Sequence, residues 1–549
     1  MSTSSQTDPN GEKNVESGNE NGISPAQPSV EPKSRQIRGF RWFVLLCSIY
    51  SSMFIFALDN TITANLVPVI SNEFHSVDLL PWLSVGFMLG GYVALLPMGK
   101  LYAKYDAKWV YFVNIILFLG FSALCGAAPN MSAMIVGRVF LGVFGAAMYC
   151  GIMVLVALST DDRERPGYFS ITAVVWSVGT VLGPIVGGAF ALVTWRWAFY
   201  INLVIGGVFA PICFFILPSY DQLPKSVTLI QRAKNYDFLG TTLLVAFSVC
   251  LIMAINLGGV LYSWSSGSII ALFVVGIILA LAYGVQQKFS WLTTPDDRIF
   301  PVPLLHNKEA ILLAVSMTCS NAASFIPIYY VPVYFQFALG DSPLIAAVRL
   351  IPLIVVFSVV NLSQGFLVVK LAYYWPWFVG GGVLLTAGNV MLYTINADTT
   401  PGYIYGAEVV IAIGMGLCNQ APYGVIQNVV PPAEMGLGVP FIMFAQYTGV
   451  TAGLSVAGAV FINLGLRDLG NLLPSFSEMQ LSSILSGASG EAFEQVPENM
   501  RDAAIDVIVD NLRKTFIPAF FGGAVVLIVS FFLSKRKLSV NADAAVMVG

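Results

Sequence analysis

From Trp42 to Leu533 the chain is a near-continuous succession of apolar runs. Each run is about 20 residues long, enough to cross about 30 Å of hydrocarbon as a helix. In lipid every backbone N–H and C=O must be satisfied internally, so runs of this length select helices over any open sheet. Only 10% of the residues are charged, against roughly 25% in soluble domains. The predicted fold class is therefore an all-α integral membrane protein, embedded in a lipid bilayer.

Runs bounded by Gly, Pro, Asn or charge predict fourteen spans, near 42–66, 80–102, 109–128, 132–157, 169–193, 199–217, 238–257, 267–286, 310–333, 343–367, 377–395, 402–426, 436–461 and 515–534. Lys and Arg sort unevenly into alternate loops. About twenty of the 27 fall on the side of the N-terminal tail, about five on the other side, and two inside spans. That bias places both termini in the cytoplasm. The exception is the long outer segment 464–513, a length that translocates largely regardless of charge. Within it "MRDAAIDVIVDNLRKTF" has helical periodicity and reads either as an amphipathic helix on the outer face or as an ordinary connecting helix. The first 35 or so residues are rich in Ser, Asn, Glu, Pro and Gly without an apolar core, and are expected to form a disordered tail rather than a signal peptide.

Several chemistries are excluded early. The net charge of −3 averages acidic and basic loops, and nothing points to nucleic acid. All seven cysteines fall inside apolar runs without a CxxC pair, so free buried thiols are expected rather than disulfides. His75 and His306 lie outside the spans, which disfavours an intramembrane metal or haem site. With no nucleophile and base set, phosphate loop or metal cluster, an enzyme is not expected.

Charges inside spans are costly and are read as functional by default. Asp59 lies about 17 residues past Trp42, roughly 25 Å into a span that leaves the cytoplasm. Arg138 lies about six residues into a span that enters from outside, at roughly 9 Å. The two can meet at one level. Pairing favours the ionised carboxylate and unpartnered burial disfavours it, so an Asp59 that alternates between these surroundings can load and release a proton. The competing readings are a helix cap or vestibule acid for Asp59 and an outward-snorkelling Arg138. Glu408 and Arg349 have similar depths in the second half and are expected to form a second acid–base pair.

Four short motifs follow one another in the first half. "GKLYAKYDAKWVY" puts Gly99, Lys104 and Lys108 in the short loop after the second span, and "GRVFLGVFGAAM" carries Arg138. "GTVLGPIVGGAF" sets Gly179, Gly183, Gly187 and Gly188 around Pro184, making one helix face nearly flat for close approach of a neighbour. "WRWAFYINLVIGG" comes next. In this order these segments, with "LDNTITANLVPVI" and "YYVPVYFQFALGDSPLIAAVRLIP", resemble the major facilitator superfamily, and within it the fourteen-span drug:proton antiporter branch of fungal toxin and multidrug efflux pumps. The loop after the second span departs from the family pattern, with Ala103 in place of the usual acid, Asp106 for a Gly and Ala107 for an Arg, which weakens loop gating as an expectation.

The resemblance implies a major facilitator fold: two six-helix bundles around a central cavity, plus two extra linking helices without ionisable residues past Asp237. It divides the chain into a tail 1–40, a first bundle 41–217, a linker 218–308, a second bundle 309–534 that includes the outer loop 464–513, and a tail 535–549. The implied function is proton-coupled export of an amphipathic small molecule, a secondary metabolite, mycotoxin or drug, driven by the proton gradient without a cofactor. A monomer in the plasma membrane is expected, with the vacuolar membrane as the alternative. Siderophore or basic amino-acid transport on the same fold, and a transporter-like receptor, are the competing functions. Cavities for apolar cargo are lined by aromatics and a few amides, which nominates Trp82, Trp176, Tyr334, Gln336, Asn419, Gln420 and Gln446.

Overall fold

In the computed structural model, the described residues are 37, 39–63, 66, 70, 73–74, 81–161, 164–191, 193–221, 232, 235–258, 262–371, 373–430, 435–485, 493 and 495–535. The predicted disordered tail and His75 lie outside them. The chain is all-helical, and thirteen helical stretches among the described residues are long and apolar enough to cross a membrane.

The first six helices are α1 (Phe40–Ile62), α2 (Pro81–Lys104), α3 (Ala107–Gly126), α4 (Met131–Ser159), α5 (Arg165–Ala191) and α6 (Trp197–Ile216). Local sequence sets their ends. Asp106 and Asn130 cap α3 and α4 by accepting from the Lys108 and Ala133 amides, bonds that occupy otherwise orphaned N–H groups of the first turn. A pair, α7 (Phe238–Leu257) and α8 (Gly267–Phe289), follows. These two pack on each other; most apolar side chains of α8 are exposed, as on a helix facing lipid, while most of those on α7 are half-buried.

The remaining helices are α9 (Lys308–Ala338), α10 (Pro343–Val348), α11 (Ile351–Leu371), α12 (Trp375–Tyr393), α13 (Pro401–Cys418), α14 (Ala421–Val429), α15 (Met435–Leu472), α16 (Glu478–Leu485), α17 (Glu498–Lys514) and α18 (Ile517–Ser530). Two expected spans are thus broken: 343–367 turns at Arg349 and Leu350, and 402–426 breaks at Asn419 and Gln420. Helix α12 has 19 residues, about 28 Å of rise, and is wedged between α13 and α18.

Packing repeats between the halves. In the first, α1 packs on α5 and α6, α2 on α4, and α3 on α4 and α6; in the second, α9 packs on α15 and α18, α11 on α13, and α12 on α13 and α18. Between the halves, α2 meets α15 and α5 meets α11, the same pairing seen from each side. No repeat is visible in the sequence, because packing geometry tolerates wholesale exchange of apolar residues.

Helix α15 has 38 residues, about 57 Å, well beyond the hydrocarbon thickness. Its projecting end carries α16 and α17. The apolar face of α17, with Ala504, Ile508, Val509 and Leu512 buried, is taken up by α15 and α9. Of the two readings of this segment, the structure therefore has the connecting helix packed on the bundle. The free cysteines also differ from expectation in part: Cys47 is exposed and Cys250 and Cys319 are half-buried, while the other four are buried. Helices on one side of a bundle see lipid, and periodicity alone does not say which face that is.

Candidate functional site: a buried carboxylate and the closed end of the bundle

Asp59 sits three residues before the end of α1 and Arg138 seven residues into α4, so the two reach the same level from opposite directions. Both are buried, at 0% and 1% exposure. Arg138 Nη1 lies 2.5 Å from Asp59 Oδ2. The guanidinium is held on every side: Nε donates to the Leu83 carbonyl at 3.1 Å, Nη2 to Thr63 Oγ1 at 3.1 Å, and the Phe87 ring centroid lies 4.2 Å from Cζ. The other carboxylate oxygen, Asp59 Oδ1, accepts from Asn202 Nδ2 at 3.1 Å. Asn202 also donates to Ser122 Oγ at 3.0 Å, whose hydroxyl donates to the Phe199 carbonyl. A buried ion pair survives only with good geometry and satisfied remaining groups, and the groups that surround this one come from five helices, α1, α2, α3, α4 and α6.

The glycine motif explains how α5 reaches this site. A Cβ on Gly179 would stand 2.7 Å from Ala57 Cβ, one on Gly183 2.0 Å from Thr61 Oγ1, and one on Gly187 2.5 Å from the Ile62 carbonyl oxygen. These three glycines form one flat face against the last turns of α1, above and below Asp59. Thr61 Oγ1 donates to the Thr180 carbonyl across the contact at 2.9 Å. Gly188 is half-buried on the same helix, which also contains Pro184.

In the second half the expected pair does not form. Arg349 is bound by Asp341, through both Nε and Nη2, and by Tyr405 Oη at 2.8 Å from Nη1. Asp341 is close in sequence and sits on the turn before α10, so it captures the guanidinium first. Glu408 is fully buried, and neither of its carboxylate oxygens has a hydrogen-bond partner among the described residues. It is the eighth residue of α13, as Arg138 is of α4, and these helices correspond in the packing repeat.

The end of the bundle that bears the α2–α3 turn, called here the basic end, is shut by contacts between halves. Gln446 of α15 is the hub. Its Oε1 accepts from Tyr149 of α4 at 3.3 Å and from Tyr423 of α14 at 2.6 Å, and its Nε2 donates to Asn321 Oδ1 at 3.4 Å. Tyr149 stacks on Trp176, with centroids 6.1 Å apart, and Trp176 meets Phe56 edge-on. Nearer the surface, Asn361 Nδ2 donates to the Ser170 carbonyl and Arg165 to Gln427. Pro440 of α15 presses on Gly99 of α2.

Of the nominated cavity residues, Trp176 and Gln446 thus meet through Tyr149. Asn419 and Gln420 are buried at the break between α13 and α14, with Asn419 donating to Ser324 Oγ at 3.4 Å. Trp82 is half-buried near the start of α2. The polar groups of Tyr334 and Gln336 are engaged locally: the Tyr334 hydroxyl is fixed to the Asn396 and Thr399 carbonyls of the turn before α13, and the Gln336 amide bonds back to Pro332 of its own helix. Lys104 pairs with Asp297 at 2.6 Å and Lys108 lies over the Phe214 ring. Sequence reasoning missed Asn202, Ser122, Thr63, Tyr149, Tyr423 and Asn321. Lone amides and hydroxyls inside apolar spans were the available signal. Among the described residues no group of His, Cys, Asp and Glu could hold a metal.

A family model described as "Major Facilitator Superfamily" matches residues 49–454. The chain is 46% identical over 530 residues to the "Phomenoic acid biosynthesis cluster MFS-type transporter" of Leptosphaeria maculans, covering 93% of this chain and 84% of that one. It is 37% identical over 534 residues to "Efflux pump patC" of Aspergillus clavatus, covering 96% and 97%. The crystal structure of the human organic anion transporter MFSD10 (TETRAN) superposes with a TM-score of 0.55 at 11% identity, over 88% of this chain and 100% of that one. At that identity the likeness concerns the fold alone.

Proposed function

The chain belongs to the Major Facilitator Superfamily, a multi-pass membrane transporter and not an enzyme, and on that premise we propose that it is a proton-coupled antiporter exporting an amphipathic small molecule from the cytoplasm by alternating access. The cargo class is a secondary metabolite, mycotoxin or drug, supported by relatives named for a biosynthesis cluster and for efflux. In this reading α12 is a further span, which brings the crossings to fourteen, with both termini and the basic end in the cytoplasm. The two bundles are 41–217 and 309–534, joined by the linker 218–308. The protein works as a monomer in the plasma membrane.

The observation that carries proton coupling is Asp59. It is the one carboxylate among the described residues that is both fully buried and gripped by a buried guanidinium. Asp59 and Arg138 neutralise each other while they are in contact. Protonating Asp59 removes the attraction and frees Arg138, so proton occupancy and the packing of α1, α4 and α6 are linked. In the exchange cycle, the proton enters from outside, is carried as Asp59 changes surroundings, and leaves to the cytoplasm, while cargo travels the other way. Glu408 is a second acid available for coupling, and Arg349 acts by holding the α9–α11 corner closed through Asp341 and Tyr405. Trp176, Gln446 and the amides Asn419 and Gln420 supply an uncharged, hydrogen-bonding and aromatic surface for cargo once the basic end opens.

The test is uphill transport in proteoliposomes, with rhodamine 6G and a panel of other amphipathic dyes, comparing wild type with Asp59→Asn. Dye accumulation against its gradient, driven by an opposing pH gradient and lost in the variant while dye binding survives, is the expected result. Equal, gradient-independent movement in both proteins would make the protein a uniporter.

A further inference from the structure

We propose that the linker, and not the loop after the second span, supplies the acid of an ionic latch that holds the basic end shut: Lys100 and Lys104 of the first half bound to Asp296 and Asp297 ahead of α9. This rests on the alternating-access reading and adds to it Lys104 and Asp297 as the central pair of positioning residues, with Lys100 and Asp296 beside them.

The latch is built from named contacts. Lys104 Nζ lies 2.6 Å from Asp297 Oδ1, with side chains 10% and 16% exposed. The same ammonium donates to the Asn235 carbonyl at 2.7 Å, and Lys100 Nζ donates to the Asp296 carbonyl. Arg232 holds the last turn of α2 from outside, donating to the Lys104 carbonyl while gripping both carboxylate oxygens of Asp221. Positions 103, 106 and 107, where a local acid or extra base would be sought, hold Ala103, Asp106 and Ala107. Asp106 is already engaged by the Lys108 and Tyr220 amides and the Ser219 hydroxyl. Lys104 therefore finds its counter-charge almost two hundred residues away.

The segment that carries this acid belongs mechanically to the second half. Phe300 packs edge-on to Phe441 and Phe444 of α15, and Asn307, which caps α9, donates to the Val429 carbonyl at the end of α14. It is also tied to the extra helix pair by a buried knot around Asp237. That carboxylate accepts from the Gly240 amide at 2.8 Å, Gln286 Nε2 at 3.0 Å, Gln287 Nε2 at 2.7 Å and the Ile299 amide at 3.4 Å, while Gln287 Oε1 accepts from the Phe300 amide. Helix α7 packs against α2 and α15 together, straddling the seam. Opening the basic end separates Gly99 from Pro440, and Lys104 then parts from Asp297. The extra helices thus have a task beyond joining the halves: they hold the acid in place against α2.

The experiment reads conformation, so neither cargo identity nor proton coupling enters it. Ser170 is fully buried under Asn361 at the seam. In nanodiscs, where both faces are open to reagent, a membrane-impermeant maleimide modifies a Ser170→Cys reporter at a rate set by opening, with the labelled peptide identified by mass spectrometry. A Gln427→Cys reporter at the Arg165 contact is read in parallel. Asp297→Asn and Asp297→Lys are expected to speed labelling about tenfold, and the exchange Lys104→Asp with Asp297→Lys to bring it back towards the unsubstituted rate. Unchanged labelling in Asp297→Asn overturns the latch, as does an exchanged pair that labels as fast as Asp297→Lys alone. A wild-type protein that fails to transport any dye, with these labelling rates as expected, would sink the exporter reading and leave the latch standing.

Discussion

Tyr149 and Tyr423, one from each half of the molecule, donate to the same oxygen, Oε1 of Gln446, at 3.3 and 2.6 Å. The Tyr149 bond crosses the seam that must part for the basic end to open, and the Tyr423 bond fixes the shared acceptor from within the second half. A hydrogen bond contributes about 1 kcal/mol net, and truncating Gln446 removes the one from Tyr149 that ties the halves together. Gln446→Ala is therefore expected to favour opening by a few-fold to about tenfold, read as faster modification of the Ser170→Cys reporter. Tyr334→Phe, which removes only bonds to a turn, is the control and leaves labelling unchanged.

The two buried acids respond differently to neutralisation. Asp59→Asn leaves Arg138 buried without a counter-charge, a defect on the order of 3 kcal/mol in buried pairs. Glu408→Gln exchanges a carboxyl without hydrogen-bond partners among the described residues for an isosteric amide. Thermal unfolding in detergent is expected to show a clear loss of Tm for Asp59→Asn and little change for Glu408→Gln, whose effect appears instead in the pH dependence of dye transport. A Glu408→Gln protein with wild-type pH dependence removes that residue from the coupling role.

The glycine face predicts a graded series. A methyl at Gly187 meets the backbone oxygen of Ile62, which cannot rotate away, whereas one at Gly207 meets nothing. Overpacking of this kind costs about 1–3 kcal/mol. Gly187→Ala is expected to lower Tm and coupled transport together, and Gly207→Ala to alter neither. Equal behaviour of the two would mean that α1 and α5 do not need this close approach.

Asp297 gives a pH test with a definite sign. Burial pushes its carboxyl up, but the hydrogen bond from Lys104, with one from Thr294, outweighs this and holds it below the usual carboxylate range. A depressed folded value means that the pairing contributes fully above the unfolded pKa of about 3.9 and is lost only as pH falls through the lower, folded one. The Asp297 carboxylate is therefore ionised throughout pH 5–8. Asp297→Asn is expected to shift labelling by the same factor at pH 5.5 and pH 7; a factor that vanishes at pH 5.5 contradicts this.

How much was legible in the sequence follows from what depth and spacing encode. Counting helix rise from opposite sides put Asp59 and Arg138 at one level, and glycines four residues apart named the face that α1 meets. The same counting failed for Glu408 and Arg349, because depth fixes level and not azimuth, and Asp341 is eight residues from Arg349 with its own carboxylate in reach. Asn202 was unreadable as the third member of the site, since one amide in an apolar span does not say which helix it faces. The partner of Lys104 was hidden by distance along the chain, and the breaks at Arg349 and Asn419 by apolar runs that continue through them. The partners of the Tyr334 hydroxyl were hidden in the same way, being carbonyls of a turn 62 and 65 residues away.

The central claim is that cargo and protons move in opposite directions through one carboxylate. Purified protein in liposomes with a trapped pH-sensitive dye, the membrane potential clamped at zero by valinomycin and equal potassium, and no starting pH gradient, measures this directly. Imposing a rhodamine 6G gradient across wild-type vesicles is expected to drive protons the opposite way, with no such flux in Asp59→Asn. Dye movement through the wild-type protein without a proton flux would contradict the account.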